Sequence, residues 1–454
     1  VISSGDSAAT ADVAVRVQLD GELYNSPRLR EIVRGHGLQQ AADGGDVDLV
    51  RGLYEVFGPD LVHAVDGKFA LAIEDGPGAR LLLATGRFGA RPVFHSLAGE
   101  DLAFASRLSG LGLGADAKLD PTAVAEYFEQ GRIAAPRTVC AGVGQLGPGQ
   151  LLERRRGAAP EVRTYWRPPE PTGGGLESMA EVLEELERLL ERSVAARLAA
   201  GGAGVLIDGG TGDALTAALA ARLDGGVRAI AIADDAARLA QLAPGFYGSL
   251  DLPVDDFSVL RLHAAAQVAA AGLAAILVPV GAAELFAAAG RSEGRRGAAR
   301  AREGWPSGGR GRVDAALLAA ADRACSAAQV ELRAPYLEQE LVELAMSISE
   351  DDQLGGRRGS PLRRLLAELD TPAPAVASNP SHSTAGELLR GGLAPVLGQR
   401  LEGAAAVAEG WVDGEQTRRS LDDFERGREG LGQELWRTLV FCFWLDALRG
   451  RDGG

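Results

Sequence analysis

From residue 167 to 175 the chain reads Arg-Pro-Pro-Glu-Pro-Thr-Gly-Gly-Gly, and the hydrophobic pattern differs on its two sides. Proline has no backbone donor and glycine resists ordering, so neither a helix nor a strand ladder is expected to cross this stretch. A chain of 454 residues has room for a separate core on each side. We read a first domain over 1–166, a linker over 167–177 and a second domain over 178–454. Ahead of the linker, Val13 to Leu19, Phe69 to Ile73, Leu81 to Ala84 and Leu102 to Ala105 have the composition of strands. Pro27 to Gly35 and Pro121 to Gly131 read as helices between them. Beyond it, Ser178 and Glu181 form a capping-box signature. Leu183, Leu186, Leu190, Val194 and Leu198 then follow at helical spacing. Gly204-Val-Leu-Ile207, a glycine-rich turn, a helix from about Asp213, and strands at Val227 to Ala233 and Ala274 to Val280 predict a parallel sheet with helices on both faces. From about Pro335 to Arg449 the pattern is mostly helical.

The net charge of −15 argues against nucleic acid, whose phosphates call for a basic face, and against an anionic membrane surface. Lys68 and Lys118 are the only lysines, so the second domain must work without an ammonium group. Cys140, Cys325 and Cys442 are far apart, and His36, His63, His95, His263 and His382 show no ligand spacing. No metal site is expected from them. No run of 18 apolar residues and no basic-then-apolar leader occurs, and a cytoplasmic protein is expected. Trp411, Trp436 and Trp444 read as core of the helical end, and Arg154-Arg155-Arg156 as a solvated loop.

Several colinear segments resemble the asparagine synthetase and β-lactam synthetase superfamily. Leu19-Asp-Gly-Glu-Leu-Tyr-Asn25 looks like its FNGEIYN, Asp66-Gly-Lys-Phe-Ala70 like DGMFA, and Arg87-Phe-Gly-Ala-Arg-Pro92 like RFGxKP. Phe104-Ala-Ser106 matches FAS, and Gly147-Pro-Gly149 falls where the family closes a turn before its Tyr-Trp, here Tyr165-Trp166. Asp322-Arg323 and Glu331-Leu-Arg-Ala-Pro-Tyr-Leu337 resemble DR and ExRxPFL. The resemblance implies an α+β N-terminal-nucleophile-hydrolase-like αββα sandwich. An α/β pyrophosphate-loop synthetase domain, adenine nucleotide α-hydrolase-like and with a helical C-terminal part, follows it.

In that family the first domain releases ammonia from glutamine with an N-terminal cysteine. This sequence starts Val1-Ile2-Ser3, the opening strands are expected to be absent, and no cysteine precedes Cys140. Asp20 replaces the asparagine that would donate to the oxyanion, and a carboxylate there repels developing negative charge. Asp20 and Gly21, with Asp46 and Asp48 at the segment that grips the glutamine amine, are the expected pocket remnant.

The second domain of the family forms an acyl-adenylate from ATP, with Mg²⁺ held by a loop SGGxDSS. Here Asp208-Gly209-Gly210-Thr211-Gly212-Asp213 stands at that place. Serine has become Asp208, aspartate has become Gly212, and the next serine Asp213. Each carboxylate about 4 Å from a phosphate oxygen costs roughly 1–4 kcal/mol. Each lost hydrogen bond to a charged group removes about 1.5–3 kcal/mol more. Together these rival the roughly 8 kcal/mol of a micromolar affinity. A one-residue shift that makes Asp213 the Mg²⁺ ligand is the alternative. The family's LSGDGGDELFGGY aligns with Leu277 to Ala287, where Val280 and Ala283 replace both aspartates and Glu284 remains. No equivalent of DEPxxD is found between Ile232 and Ala274. The catalytic lysine segment is replaced by Gly359-Ser-Pro-Leu-Arg363 beside Arg357 and Arg358, and arginine donates no proton at neutral pH.

Gly209 and Gly210 read as a nucleotide cradle or as a tight turn, with the turn favoured. Glu284 and Glu331 with Arg333 read as a surviving acid/base and clamp or as a buried ion pair joining helices, with the pair favoured. The first expectation is an asparagine synthetase-like pseudoenzyme without glutaminase or ligase activity, with no cofactor. It would act as scaffold or regulatory partner of an active paralogue in a hetero-oligomer, or self-associate. The alternative is a divergent ATP- and Mg²⁺-dependent amide-forming synthetase, β-lactam synthetase-like, with ammonia or an amine as nucleophile. A second is a non-catalytic carboxylate or amino-acid binding protein.

Overall fold

The computed structural model describes residues 15–98, 101–170, 178–199, 201–232, 235–286, 313–348, 360–369 and 384–450. The chain forms two compact units, Val1–Ala123 with Ala134–Pro168, and Val124–Ile133 with Pro169–Gly454. Residues 171–177 of the expected linker, Val13 and Ala14 of the expected first strand, and Arg357 to Gly359 lie outside the described residues.

The first unit is built on two antiparallel sheets. Strands β1 (Arg16–Leu23), β2 (Gly67–Asp75), β3 (Arg80–Thr85), β4 (Phe94–Ala98), β5 (Asp101–Ala105), β6 (Val143–Gln145), β7 (Gln150–Arg155) and β8 (Glu161–Thr164) are ordered β1-β2-β3-β7-β8 in one sheet and β5-β4-β6 in the other. Side chains alternate across a strand, and β2 uses both faces. Phe69, Leu71 and Ile73 join one core with Leu29, Val33, Leu49, Val50 and Leu53 of the helices. Ala70 and Ala72 join another with Leu83, Phe104 and Leu152 of the sheets. Those helices are α1 (Ser26–Gly35), α2 (Gln39–Asp43), α3 (Asp46–Phe57) and α4 (Leu61–Ala64). The layers are those of the αββα plan. Strand β1 runs four residues past its expected end because Asp20 to Leu23 stay in register with Gly67 to Ala70.

Helix α5 (Pro121–Gln130) has its last seven residues grouped with the second unit, where Tyr127 stacks on Phe441. Helix α6 (Met179–Leu198) starts at the expected capping box: Ser178 Oγ accepts from Glu181 N, and Glu181 Oε2 from Ser178 N, both at 3.3 Å. Strands β9 (Ala203–Ile207), β10 (Arg228–Ala231), β11 (Ala275–Leu277) and β12 (Glu331–Arg333) form a parallel sheet in the order β10-β9-β11-β12. Its connections run through α7 (Thr211–Leu223), α8 (Ala236–Gly248), α9 (Ser258–Ala269), α10 (Ala282–Phe286) and α11 (Ala315–Ser326). Helices α12 (Gln339–Ser347), α13 (Pro361–Glu368), α14 (Ala385–Leu388), α15 (Ala394–Arg400), α16 (Ala405–Ala408), α17 (Gly414–Glu425) and α18 (Gly432–Leu448) complete the unit.

Trp436 and Trp444 of α18 are buried, whereas Trp411 is half-buried with its indole on Glu409 at 3.1 Å. The three cysteines are buried free thiols, and burial pushes Cys442 up to about 12. Among the described residues no helix is long and apolar enough to cross a membrane.

Candidate functional site

In the first unit the family-like segments meet through backbone bonds. Asn25 Nδ2 donates to Ala64 O at 2.8 Å, and Asn25 Oδ1 accepts from Asp66 N at 2.9 Å. Arg87 donates to the Val65 and His63 carbonyls and lies 3.6 Å from Asp66. Gly21 has φ +133°, and a Cβ there would sit 2.0 Å from Lys68 O. Only glycine lets β1 approach β2 this closely. Tyr165 Oη donates to Thr85 O at 2.6 Å, and Tyr165 N to Gly149 O at 2.8 Å. These residues hold sheet to loop.

Asp20 is the polar centre of this region. Its carboxylate accepts from Arg91 Nη1 at 3.0 Å and from Ser106 Oγ at 2.7 Å. Burial acts to raise its pKa, but the Arg91 charge and the Ser106 hydroxyl outweigh it and hold Asp20 below the ordinary value of 3.8. A carboxylate kept ionised here opposes an oxyanion. Because the folded pKa is depressed, its stabilisation is full above the unfolded value and is lost as pH falls through the folded one. Asp20→Asn is expected to cost about 1–2 kcal/mol at neutral pH. Urea titrations across the acid range should also give this variant a shallower acid loss than the wild type.

Asp46 and Asp48 serve the start of α3. Asp46 pairs with Arg30 at 3.0 Å, while Asp48 accepts from Gly45 N at 3.2 Å and pairs with Arg51 at 2.7 Å. Among the described residues no contact brings either to Asp20 or Gly21.

In the second unit β9 lies between β10 and β11, so the chain changes direction across the sheet beside the carboxyl end of β9. Ligands of open α/β sheets bind in the crevice outside such a point. The 208–213 loop occupies it. Gly209 has φ +90° and turns the chain, and α7 starts at Thr211. The Asp213 side chain folds back into the turn, where Oδ2 accepts from Asp208 N at 2.6 Å and Gly209 N at 2.8 Å. It is 3% exposed. Asp208 pairs with Arg261 of α9, Oδ1 at 2.9 Å and Oδ2 at 3.4 Å.

The start of α7 also packs tightly on the turn before α10. A Cβ on Gly212 would lie 2.6 Å from Ala282 Cβ and 3.3 Å from Pro279 Cβ. Tyr336 Oη and Thr216 Oγ1 donate to the Gly212 carbonyl at 2.9 and 2.8 Å. The Asp213 carboxylate thus occupies two loop amides, and the contact with α10 leaves no room for a side chain at 212. Among the described residues no group of three or more His, Cys, Asp or Glu side chains is placed to hold a metal ion.

The placement on helices expected of Glu331 and Arg333 requires correction. Glu331 and Arg333 are on a strand, β12, not on helices, and share one of its faces. The Glu284 carboxylate accepts from Gly281 N at 3.0 Å at the start of α10, as a short-helix cap does, and desolvation raises its pKa above the ordinary value. Arg333 is buried and donates to the Arg197 carbonyl at 2.7 Å, closing the end of α6.

Two participants were missed in the sequence. Arg261 stands 53 residues from Asp208, in a run of apolar residues on α9 where a buried arginine needs a partner. The DEPxxD spacing judged absent is present as Asp251-Leu-Pro-Val-Asp-Asp256, just before α9. Its Asp255 is bonded to Gln433, Trp436 and Arg437 of α18.

Residues 7–166 match the glutamine amidotransferase domain family, and residues 312–446 the asparagine synthase family. The chain belongs to the asparagine synthetase superfamily. Its similar relatives include the glutamine-hydrolysing asparagine synthetase 3 of Bacillus subtilis, 28% identical over 150 residues, which are 32% of this chain and 24% of that protein. A putative asparagine synthetase of Mycobacterium bovis is 28% identical over 212 residues, 45% of this chain and 32% of that one. The match thus spans about a quarter to a third of these relatives. The superfamily's glutamine amidotransferase part covers the Asp20 region, while the 208–213 loop lies outside both family matches.

Proposed function

We propose that this chain is a non-catalytic member of the superfamily, folded like an asparagine synthetase but without its ligase and glutaminase chemistry. The observation that carries this reading is the Asp213 carboxylate on the Asp208 and Gly209 amides. An anion already fills the place where the family binds one. Asp20 supports the same reading in the first unit, since it brings negative charge where an oxyanion donor would be needed.

The residues kept from the family have packing tasks. Gly21, Asn25, Arg87 and Tyr165 position backbone, and Tyr336 braces the loop carbonyl. A protein kept for its fold acts through a partner, and an active paralogue in a hetero-oligomer is the partner we propose, with self-association second. No cofactor is part of this reading, and neither nucleic acid nor a membrane surface is proposed as a partner.

The purified chain, given ATP, Mg²⁺ and aspartate or other carboxylates with ammonia, is expected to release pyrophosphate no faster than buffer. Release above that background would instead support an amide-forming synthetase that has rebuilt its nucleotide site. Calorimetric binding of an amino acid without turnover would favour the binding-protein reading.

A further inference from the structure

We propose that Asp213 is an intramolecular lock: its carboxylate stands in for a phosphate oxygen, and this one side chain keeps the loop from taking up a free anion. The inference rests on the non-catalytic reading above and names the contact responsible. Four observations meet here. Both amides at the turn, Asp208 N and Gly209 N, point at the same oxygen, Asp213 Oδ2. The other oxygen, Oδ1, is 2.7 Å from where a Cβ on Gly210 would be, so the carboxylate fills the hollow of the turn. The turn carries the positive φ at Gly209 that aims successive amides inward. Finally, Arg261, 4% exposed, brings a cation to the same loop and is paired there with Asp208.

A tethered group competes with a free one at high effective concentration, because it pays no association entropy. The lock therefore holds at any ordinary concentration of external anion. Its removal leaves two inward amides and the end of a 13-residue helix without their acceptor. Serine at this position, the residue found there in the family loop, is short and neutral. It leaves room for an oxyanion while still capping the turn. The steric block at Gly212 is separate, since it excludes a metal-binding carboxylate and not a small anion.

The test is isothermal titration calorimetry of the full chain with inorganic pyrophosphate, in metal-free buffer, for wild type, Asp213→Ser and Asp213→Ala. The wild type is expected to bind no tighter than millimolar. Both variants, once circular dichroism shows a native spectrum, should bind about tenfold tighter or better. Adding Asp208→Asn should tighten binding again by removing a negative charge from the loop. Folded variants with no gain over wild type would overturn the lock, as would a wild type that binds as well as they do.

If neither variant folds, hydrogen exchange on the wild type decides. Slow exchange at the Asp208 and Gly209 amides without any added anion supports the lock, and fast exchange overturns it. Inert variants beside an inert wild type would remove the lock and leave the non-catalytic reading intact. Pyrophosphate release from ATP by the wild type would remove that reading itself.

Discussion

Asp255→Ala is expected to lower the stability of the second unit by about 3–5 kcal/mol. Asp255 is 9% exposed, and Oδ2 accepts from Arg437 Nε at 2.7 Å and from Gln433 Nε2 at 2.9 Å. Its carbonyl accepts from the Trp436 indole at 2.6 Å, and its amide donates to Gly131 O at 2.8 Å. The residue thus ties α18, the approach to α9 and the end of α5. Alanine keeps the backbone bonds and leaves Arg437 buried without its carboxylate. Arg437 also donates to the carbonyls of Phe128 and Glu129, but its Nη2 has no hydrogen-bond partner, so those contacts do not replace the charge. Guanidinium denaturation followed by tryptophan fluorescence should show the midpoint fall with little change in slope. Asp255→Asn, which keeps an acceptor, should lose clearly less. A loss below about 1 kcal/mol for alanine would mean the carbonyls alone hold the guanidinium.

The second large effect concerns a repair that fails. Gly212→Asp restores the carboxylate that binds metal in the family, yet it is expected to destabilise the protein and to confer no Mg²⁺-dependent ATP binding. The new Cβ would stand 2.6 Å from Ala282 Cβ and 3.3 Å from Pro279 Cβ. Overpacking of this kind costs about 1–3 kcal/mol, and an unpaired buried polar group adds about 1–3 kcal/mol. Ala282→Gly removes the nearer atom, and the double variant should recover part of the loss, because the two positions are in contact. No recovery on denaturation would show that the clash is not what excludes the side chain.

The architecture was legible where its causes are local. Alternation in β2, the Ser178–Glu181 box and the strand–turn–helix at 204–214 each depend on residues a few positions apart. The site was legible only as a set of substitutions. That Asp208 and Asp213 bring negative charge to the loop can be read from the letters alone. That Asp213 turns inward and Asp208 outward to Arg261 depends on how α7 and α9 pack on β9, over 53 residues of separation. Asp255 and Arg437 are 182 residues apart and leave no mark in either neighbourhood. That Glu331 and Arg333 sit on a strand and not on helices was missed, because spacing in the chain could not tell the two apart over three residues.

The bonds of Asn25 and Arg87 to carbonyls bear on how whole collections of such genes are sorted. On the non-catalytic reading we propose, signature letters of this kind serve architecture, and scoring genomes by them would count silent copies along with working ones. A census meant to separate the two should weigh instead the letters at 20, 208, 212 and 213.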